Sequence, residues 1–251
     1  MFRRYKITLE YVGTHFKGWQ KQKNNNSIQE TFEKAAGKFF CENINTVVAG
    51  RTDAGVHAEE QVIHLDTRKN VSKEKILLGI NYHLLQQPYG EDISIKKVVA
   101  VGNNFNARFS AKKKLYQYLI LNDKQRSPQY NNISWLVKRK LSIEKMTLAS
   151  NYLIGKNDFS SFRSKGCQSA SAIKTLDNIV IIKKKKVIKI SYFAKSFLYN
   201  QVRIMTGTLK DVGVGKIEPQ EIKNILKKKS RSKAGVTAPS KGLKLVKIYY
   251  K

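Results

Sequence analysis

The sequence predicts an α+β protein of two ferredoxin-like halves, each with the element order β-α-β-β-α-β. Their mainly antiparallel sheets are expected to join, with helices on one side and a cleft between the halves. Three observations predict this. Short runs of apolar and polar alternation recur along the chain, stretches of helical period with N-cap signals separate them, and the order found in residues 5–101 returns loosely in 114–250. The expected division is an N-terminal half over 1–105 and a C-terminal half over 106–251.

Taken in order, residues 5–12 alternate as a strand. Ser27 and Glu30 form a capping box, and Ile28, Phe32, Ala35 and Phe39 follow on one helical face. Ile44 to Gly50 and Gln61 to Thr67 read as two strands. Ser72 caps a helix through about Leu85, with Ile76, Ile80 and Leu84 inward, and Ile93 to Val101 is a strand. In the second half, Lys114 to Leu121 is a strand, and a helix starts at Ser142 and ends at Gly155. Asn178 to Ile182 and Val187 to Phe193 make a hairpin with four lysines at its tip. A helix over Phe197 to Val212 buries Leu198, Val202, Met205, Leu209 and Val212. A short helix near Pro219–Leu226 and a strand over Leu243–Tyr250 complete the half.

Composition narrows the function. A chain of 251 residues buries roughly 70–75% of its unfolded surface on folding and needs no staples. Cys41 and Cys167 are the only cysteines and have no CxxC spacing, which argues against a zinc site or disulfide framework and fits a reducing compartment. The first ten residues carry no apolar signal region, and no later run could span a bilayer, so a soluble, cytoplasmic protein without a membrane partner is expected. Lys and Arg number 48 against 18 Asp and Glu, a net charge of +30 that favours a polyanion, nucleic acid first. Part of that charge decorates the surface. The rest clusters at Lys112–Lys114, at Lys183–Lys186 and at Lys227–Lys229 with Arg231 and Lys233. If ~6 of these met phosphates on a single strand, log K would fall with log salt at a slope of about −4.

One stretch can carry chemistry: Gly50-Arg51-Thr52-Asp53-Ala54-Gly55-Val56-His57-Ala58. It sets a carboxylate beside a cation and between glycines, on a tight loop joining two strands. Arg51 and Asp53 are two apart, so on extended backbone they point the same way, and a nearby guanidinium keeps a carboxylate ionised. Gly50 and Gly55 permit the sharp loop. An ordinary turn with a surface ion pair would look similar. A metal reading would gather Asp53, His57, His64 and Asp66, and it is the weaker one because lone His and Asp on adjacent strands seldom close a site.

The nine residues resemble the signature of the tRNA pseudouridine synthase A family. The resemblance extends over nearly the whole chain, in order. Tyr11-Val12-Gly13-Thr14, Phe16 and Gly18-Trp19-Gln20 are similar to the family's opening. Phe105-Asn106-Ala107-Arg108-Phe109-Ser110 with Leu115-Tyr116-Gln117-Tyr118 is similar to its second motif. Asp158-Phe159, Phe162-Arg163 and Gly166-Cys167-Gln168-Ser169 follow, then Phe197-Leu198-Tyr199-Asn200-Gln201-Val202-Arg203 with Gly207. Ala234-Gly235-Val236-Thr237-Ala238-Pro239 with Gly242-Leu243 completes the match. Asn106 stands where the family commonly has His, Glu60 where it often has Gly, and Lys174-Thr175 replaces Arg-Thr.

The resemblance implies an isomerase that converts uridine to pseudouridine at positions 38, 39 and 40 of the anticodon stem-loop of tRNA. It implies a homodimer with tRNA as partner, and no metal or small-molecule cofactor. Asp53 would be the catalytic nucleophile, attacking C1′ or C6, or would act as a base. Arg203 would be its partner, Tyr116 would stack on the target uracil, and Arg51 would reach the substrate, all at the cleft between the halves. From the residues alone, Tyr116 also reads as a strand aromatic in the core, and Arg203 as a solvated arginine off the apolar stripe. Two rivals differ in class. A non-catalytic RNA-binding module would need the basic clusters alone, and a metal-dependent nuclease would need a cation site.

Overall fold

The computed structural model describes residues 2–23 and 26–250. The chain separates into two compact units, residues 1–112 with 245–251, and residues 113–244. The final strand thus returns to the first unit, whereas the division at 105/106 assigned it to the second half.

The first unit is α+β. β1 (Arg3–Tyr11) pairs antiparallel with β3 (His57–Thr67) on one side and β4 (Ile93–Val101) on the other. The short β2 (Thr46–Val48) lies on β3, as does the last strand, β10 (Leu243–Tyr249). With α1 (Ile28–Phe40) and α2 (Lys73–Leu84) this is the expected β-α-β-β-α-β order. Tyr5, Ile7, Leu9 and Tyr11 all point into the core, alternating with Lys6, Thr8 and Glu10. Ser27 caps α1 by accepting from Glu30 N, but the Glu30 carboxylate reaches forward to Lys34 at 2.9 Å. The helix's first free N–H groups go to the preceding loop, Ile28 N to Gly18 O and Gln29 N to Trp19 O. Phe40, not Phe39, completes the buried face of α1. Phe39 lies edge-on to it and over Gly79 of α2, where any Cβ would collide with the ring.

The second unit is also α+β. β9 (Val187–Ala194) lies between β5 (Lys113–Leu121) and β8 (Ile173–Lys184), both antiparallel, and β7 (Gly155–Asp158) adds to β8. The two-residue β6 (Trp135–Leu136) runs parallel to β5. Neither β6 nor β7 is expected from the sequence. α3 (Ile143–Asn151) ends at Tyr152 in right-handed conformation. Gly155, at φ +95°, opens β7 and does not cap the helix. α4 (Gln201–Gly213) starts four residues later than its apolar pattern suggests, because Asn200 sits at φ 60°, outside helical space. α5 (Glu221–Lys228) follows, and its residues Ile222 and Ile225 are buried. Among the described residues, no helix is long and apolar enough to cross a membrane.

Candidate active site

The Asp53 loop is clamped from three directions within the first unit. Asp53 O accepts from Val56 N at 3.1 Å, closing a four-residue turn. Gly55 stands at its third position with φ +75°, where a type II turn calls for glycine. Gly50 is not in the left-handed region; its carbonyl accepts from Gln61 Nε2 at 2.8 Å. The freedom expected of Gly50 is exercised by Gly18 on the facing loop. Gly18 has φ +96°, and an added Cβ would lie 2.8 Å from Thr52 O.

That facing loop, residues 12–19, is bonded along its length to the Asp53 loop. Gly55 N donates to Phe16 O at 3.2 Å, Trp19 N to Thr52 O at 3.0 Å, and Gly13 N to His57 Nδ1 at 3.1 Å. Gly13 carries no Cβ because one would run into the Val56 carbonyl.

Beneath the turn lies a buried polar set. The Tyr11 hydroxyl is 2.8 Å from Thr52 Oγ1 and accepts from Gln61 Nε2 at 3.1 Å. Gln61 Nε2 spends its other hydrogen on Gly50 O, so one amide and one phenol hold the loop on both sides of Arg51. Burial pushes the Tyr11 phenol up to about 12, against the pull of Thr52 and Gln61. Tyr11 belongs to the resemblance, but neither it nor Gln61 receives a role from the sequence. The two meet only through the β1–β3 register, which sets Tyr11 opposite Ala58 and Leu9 opposite Gln61.

Asp53 is half-buried and Arg51 exposed on this loop. Three members of the metal reading are occupied otherwise. His57 Nδ1 takes the Gly13 N–H, and His64 Nδ1 takes the Ala107 N–H at 3.1 Å. Asp66 binds Arg4 through both oxygens at 2.7 Å, and that guanidinium holds its carboxyl below the usual range. Among the described residues, no group of three or more His, Cys, Asp or Glu could hold a metal ion.

In the second unit, Tyr116 on β5 is 7% exposed, opposite Tyr192 and edge-on to Phe197 at 5.3 Å. Arg203, on the first turn of α4, is half-buried. Its Nε donates to Ala238 O and its Nη1 to Asn200 Oδ1, both at 2.8 Å. The left-handed Asn200 explains the second bond: it turns its side chain back along α4, and its Nδ2 reaches Ser164 Oγ at 2.9 Å. Tyr118, two residues from Tyr116 on the same strand face, donates to Pro239 O at 2.7 Å. Leu115–Tyr118, Phe197–Arg203 and the 234–239 segment therefore converge within this unit.

The basic clusters differ in character. Lys183–Lys186 are exposed at the β8–β9 turn, with Lys186 2.7 Å from Asp123. Lys227–Lys229 are exposed at the end of α5, whereas Lys114 is buried in β5.

Asn106, at a position where the family commonly has His, accepts from Arg108 N and Phe109 N and so closes a turn. Glu60 stands 3.8 Å from Lys247. The first departure has a structural use.

Comparison with known proteins agrees with the family resemblance. The family model described as tRNA pseudouridine synthase matches residues 7–110 and 149–251. The tRNA pseudouridine synthase A of Ehrlichia canis (strain Jake) is 48% identical over 248 residues, covering 98% of this chain and 100% of that protein. The proteins of that name from Wolbachia pipientis wMel and Thermoanaerobacter sp. (strain X514) are 48% and 44% identical over 248 residues, covering 98% and 99% of this chain and all of each relative. Among solved structures, a chain in a Cbf5-Nop10-Gar1 complex covers 96% of this chain and 57% of its own length at TM-score 0.35 and 8% identity, too distant to carry anything across. The chain belongs to the tRNA pseudouridine synthase family, and like that family it is an isomerase.

Proposed function

We propose that the chain converts uridine to pseudouridine at positions 38, 39 and 40 of the tRNA anticodon stem-loop, with Asp53 as nucleophile. The observation that supports this best is the clamped turn. A carboxylate that must meet one atom of a bulky substrate has to be fixed, and this loop is fixed from both flanks and from beneath. In the reaction the N1–C1′ bond breaks, the uracil turns in place, and a C5–C1′ bond forms. The C5 proton leaves and N1 gains one, so product and substrate are isomers.

Asp53 adds to C1′ as the uracil departs, or adds to C6, or removes a ribose proton. Each route returns a free carboxylate. Arg203 is the cation that pairs with Asp53; its two anchored nitrogens suit a guanidinium held for a defined acceptor. Tyr116 stacks on the uracil, and Arg51, exposed on the same loop as Asp53, reaches the RNA. The exposed lysine runs supply affinity through phosphates.

The reading is tested by Asp53→Asn, with pseudouridine formation and tRNA binding measured separately. Turnover should fall at least 1000-fold, with binding within about threefold of wild type. A variant that makes pseudouridine at the wild-type rate would falsify the assignment.

The enzyme acts in the cytoplasm as a homodimer. For the dimer, the supporting feature is α2. Leu78, Tyr82 and Leu85 are 67%, 63% and 64% exposed, and residues 76–90 hold no Asp, Glu, Lys or Arg in a chain of net charge +30. An uncharged apolar face suits a second copy of a strongly basic chain far better than it suits phosphate. Light scattering on Tyr82→Glu should then give a monomer where the wild type is a dimer; an unchanged mass would remove α2 from the interface.

A further inference from the structure

Three strand ends of the first unit meet on one side of its sheet. β1 ends at Tyr11, which is opposite Ala58 near the start of β3 and opposite Ile93 at the start of β4. The Asp53 turn precedes β3, and the segment Tyr89–Asp92 precedes β4. Between them, residues 12–19 follow β1 and are bonded to both, through the Gly55–Phe16 and Trp19–Thr52 bonds on one side and Val12 N to Asp92 O (2.9 Å) on the other. Adjacent strands are ~4.8 Å apart, so the starts of β3 and β4 stand about 10 Å from each other across β1, and the two segments adjoin those starts.

Between residues 12–19 and that second segment is an aromatic pair that the reaction does not use. The rings of His15 and Tyr89 stack with centroids 4.8 Å apart and planes 20° from parallel, and Phe16 supports Tyr89 edge-on at 6.3 Å. Asp92 fixes the His15 ring, Oδ2 to Nδ1 at 2.7 Å. Both rings remain open to solvent, with Tyr89 40% exposed and the His15 side chain 52%. Tyr89 is also held at φ 57°, ψ 22°, a conformation in which a bulky residue is uncommon and which glycine would adopt more easily. The exposed Glu91 precedes Asp92 in the chain, and Asp92 sets a carboxylate against the stack. The ligand that suits it is therefore the flat face of a base, with phosphate left to cations such as the exposed Lys17.

We propose that the His15–Tyr89 stack is a second base-binding platform, which takes an unpaired nucleobase next to the target uridine in the RNA strand. The inference rests on the reading of Asp53 as the reacting carboxylate on an RNA substrate. Segments that adjoin strand starts about 10 Å apart are within reach of neighbouring nucleotides of one strand when the target is swung out of its stack. Stacking would hold the strand on both sides of the displaced uridine while remaining tolerant of sequence, because every base has a π face.

The test uses the full chain with a short anticodon stem-loop RNA, intact or with an abasic site replacing the base on either side of the target. Both Kd and turnover are measured. Tyr89→Gly removes the ring yet relaxes the backbone, so folding is kept; Tyr89→Phe and His15→Phe retain aromatic faces. Tyr89→Gly and His15→Ala should each raise Kd and KM about 5- to 100-fold, and the Phe variants should restore them to within about threefold. An abasic site on one flank should weaken the wild type by a like factor and the Tyr89→Gly variant hardly at all. Equal abasic losses in wild type and variant, or a Kd within twofold for both ring deletions, would overturn the platform. If the wild type binds the stem-loop but forms no pseudouridine in it, the substrate reading fails instead, and the Kd comparison still decides the platform.

Discussion

Replacing Tyr11 by Phe removes one oxygen from beneath the Asp53 turn. In the closed core, Thr52 loses the partner at 2.8 Å and Gln61 Nε2 keeps only its bond to Gly50 O. Two buried polar groups left short at about 1–1.5 kcal/mol each give a loss of roughly 2–3 kcal/mol. For a protein of this length each kcal/mol lowers Tm by about 2–4 °C, so the midpoint should drop by roughly 4–12 °C. The catalytic effect should exceed the loss of stability. With Thr52 released, the turn is free to move, and a displacement near 1 Å costs on the order of 100-fold in rate. At a temperature well below the new Tm, kcat should fall about 10- to 100-fold with KM within threefold. Calorimetry and proton release from tritiated C5 of uridine in tRNA measure the two effects. Gln61→Met should cost nearly as much, and the double variant little more than either, since both act on one network. A Tyr11→Phe enzyme with Tm within 1 °C and kcat within twofold of wild type would refute the reasoning.

The remaining expectations concern stability. Gly207→Ala, which in an exposed helix would gain about 1 kcal/mol, should instead lose roughly 1–3 kcal/mol in urea denaturation, because the new methyl is driven into the Val236 carbonyl. Burial raises the phenols of Tyr11, Tyr118, Tyr192 and Tyr250 above their ordinary value of 10. All four keep their protons in both states below pH 10. Above it the unfolded chain ionises first, so stability is lost as pH rises, by about 1.4 kcal/mol per unit for each phenol that stays protonated in the fold. The urea midpoint should be insensitive to these groups from pH 8 to 9.5 and fall steeply from pH 10 to 12. A midpoint unchanged to pH 11.5 would contradict the burial of those rings.

Where a cap and a period agreed, the sequence was legible. Ser72 with Ile76, Ile80 and Leu84 places α2 to within a residue, and β4 runs over Ile93–Val101 as its alternation suggests. Legibility failed where the backbone leaves its usual regions or where distant segments supply the partner. Nothing in Phe197–Asn200 betrays that Asn200 turns left-handed and delays α4, although the same turn gives Arg203 one of its acceptors. Phe39 has the right spacing for the core and loses the place to Phe40, because the groove at Gly79 of α2 receives its ring. On the Asp53 loop, the sequence indicated the tight turn and Gly55, which it needs. It did not indicate Tyr11 and Gln61 as a support, since sheet register alone brings them together.

The return of residues 245–251 to the first unit makes that unit discontinuous. Tyr250 donates to Ala107 O at 2.8 Å and receives Lys6 over its ring at 4.0 Å, and Tyr249 O accepts from Lys112 N at 2.8 Å. During synthesis, the second unit has its whole sequence before the first has its final strand. The unit that carries Asp53 is therefore completed last. A chain that stops before Leu243 leaves the flank of β3 without its β10 partner and exposes a sheet edge to the neighbouring chains of a polysome.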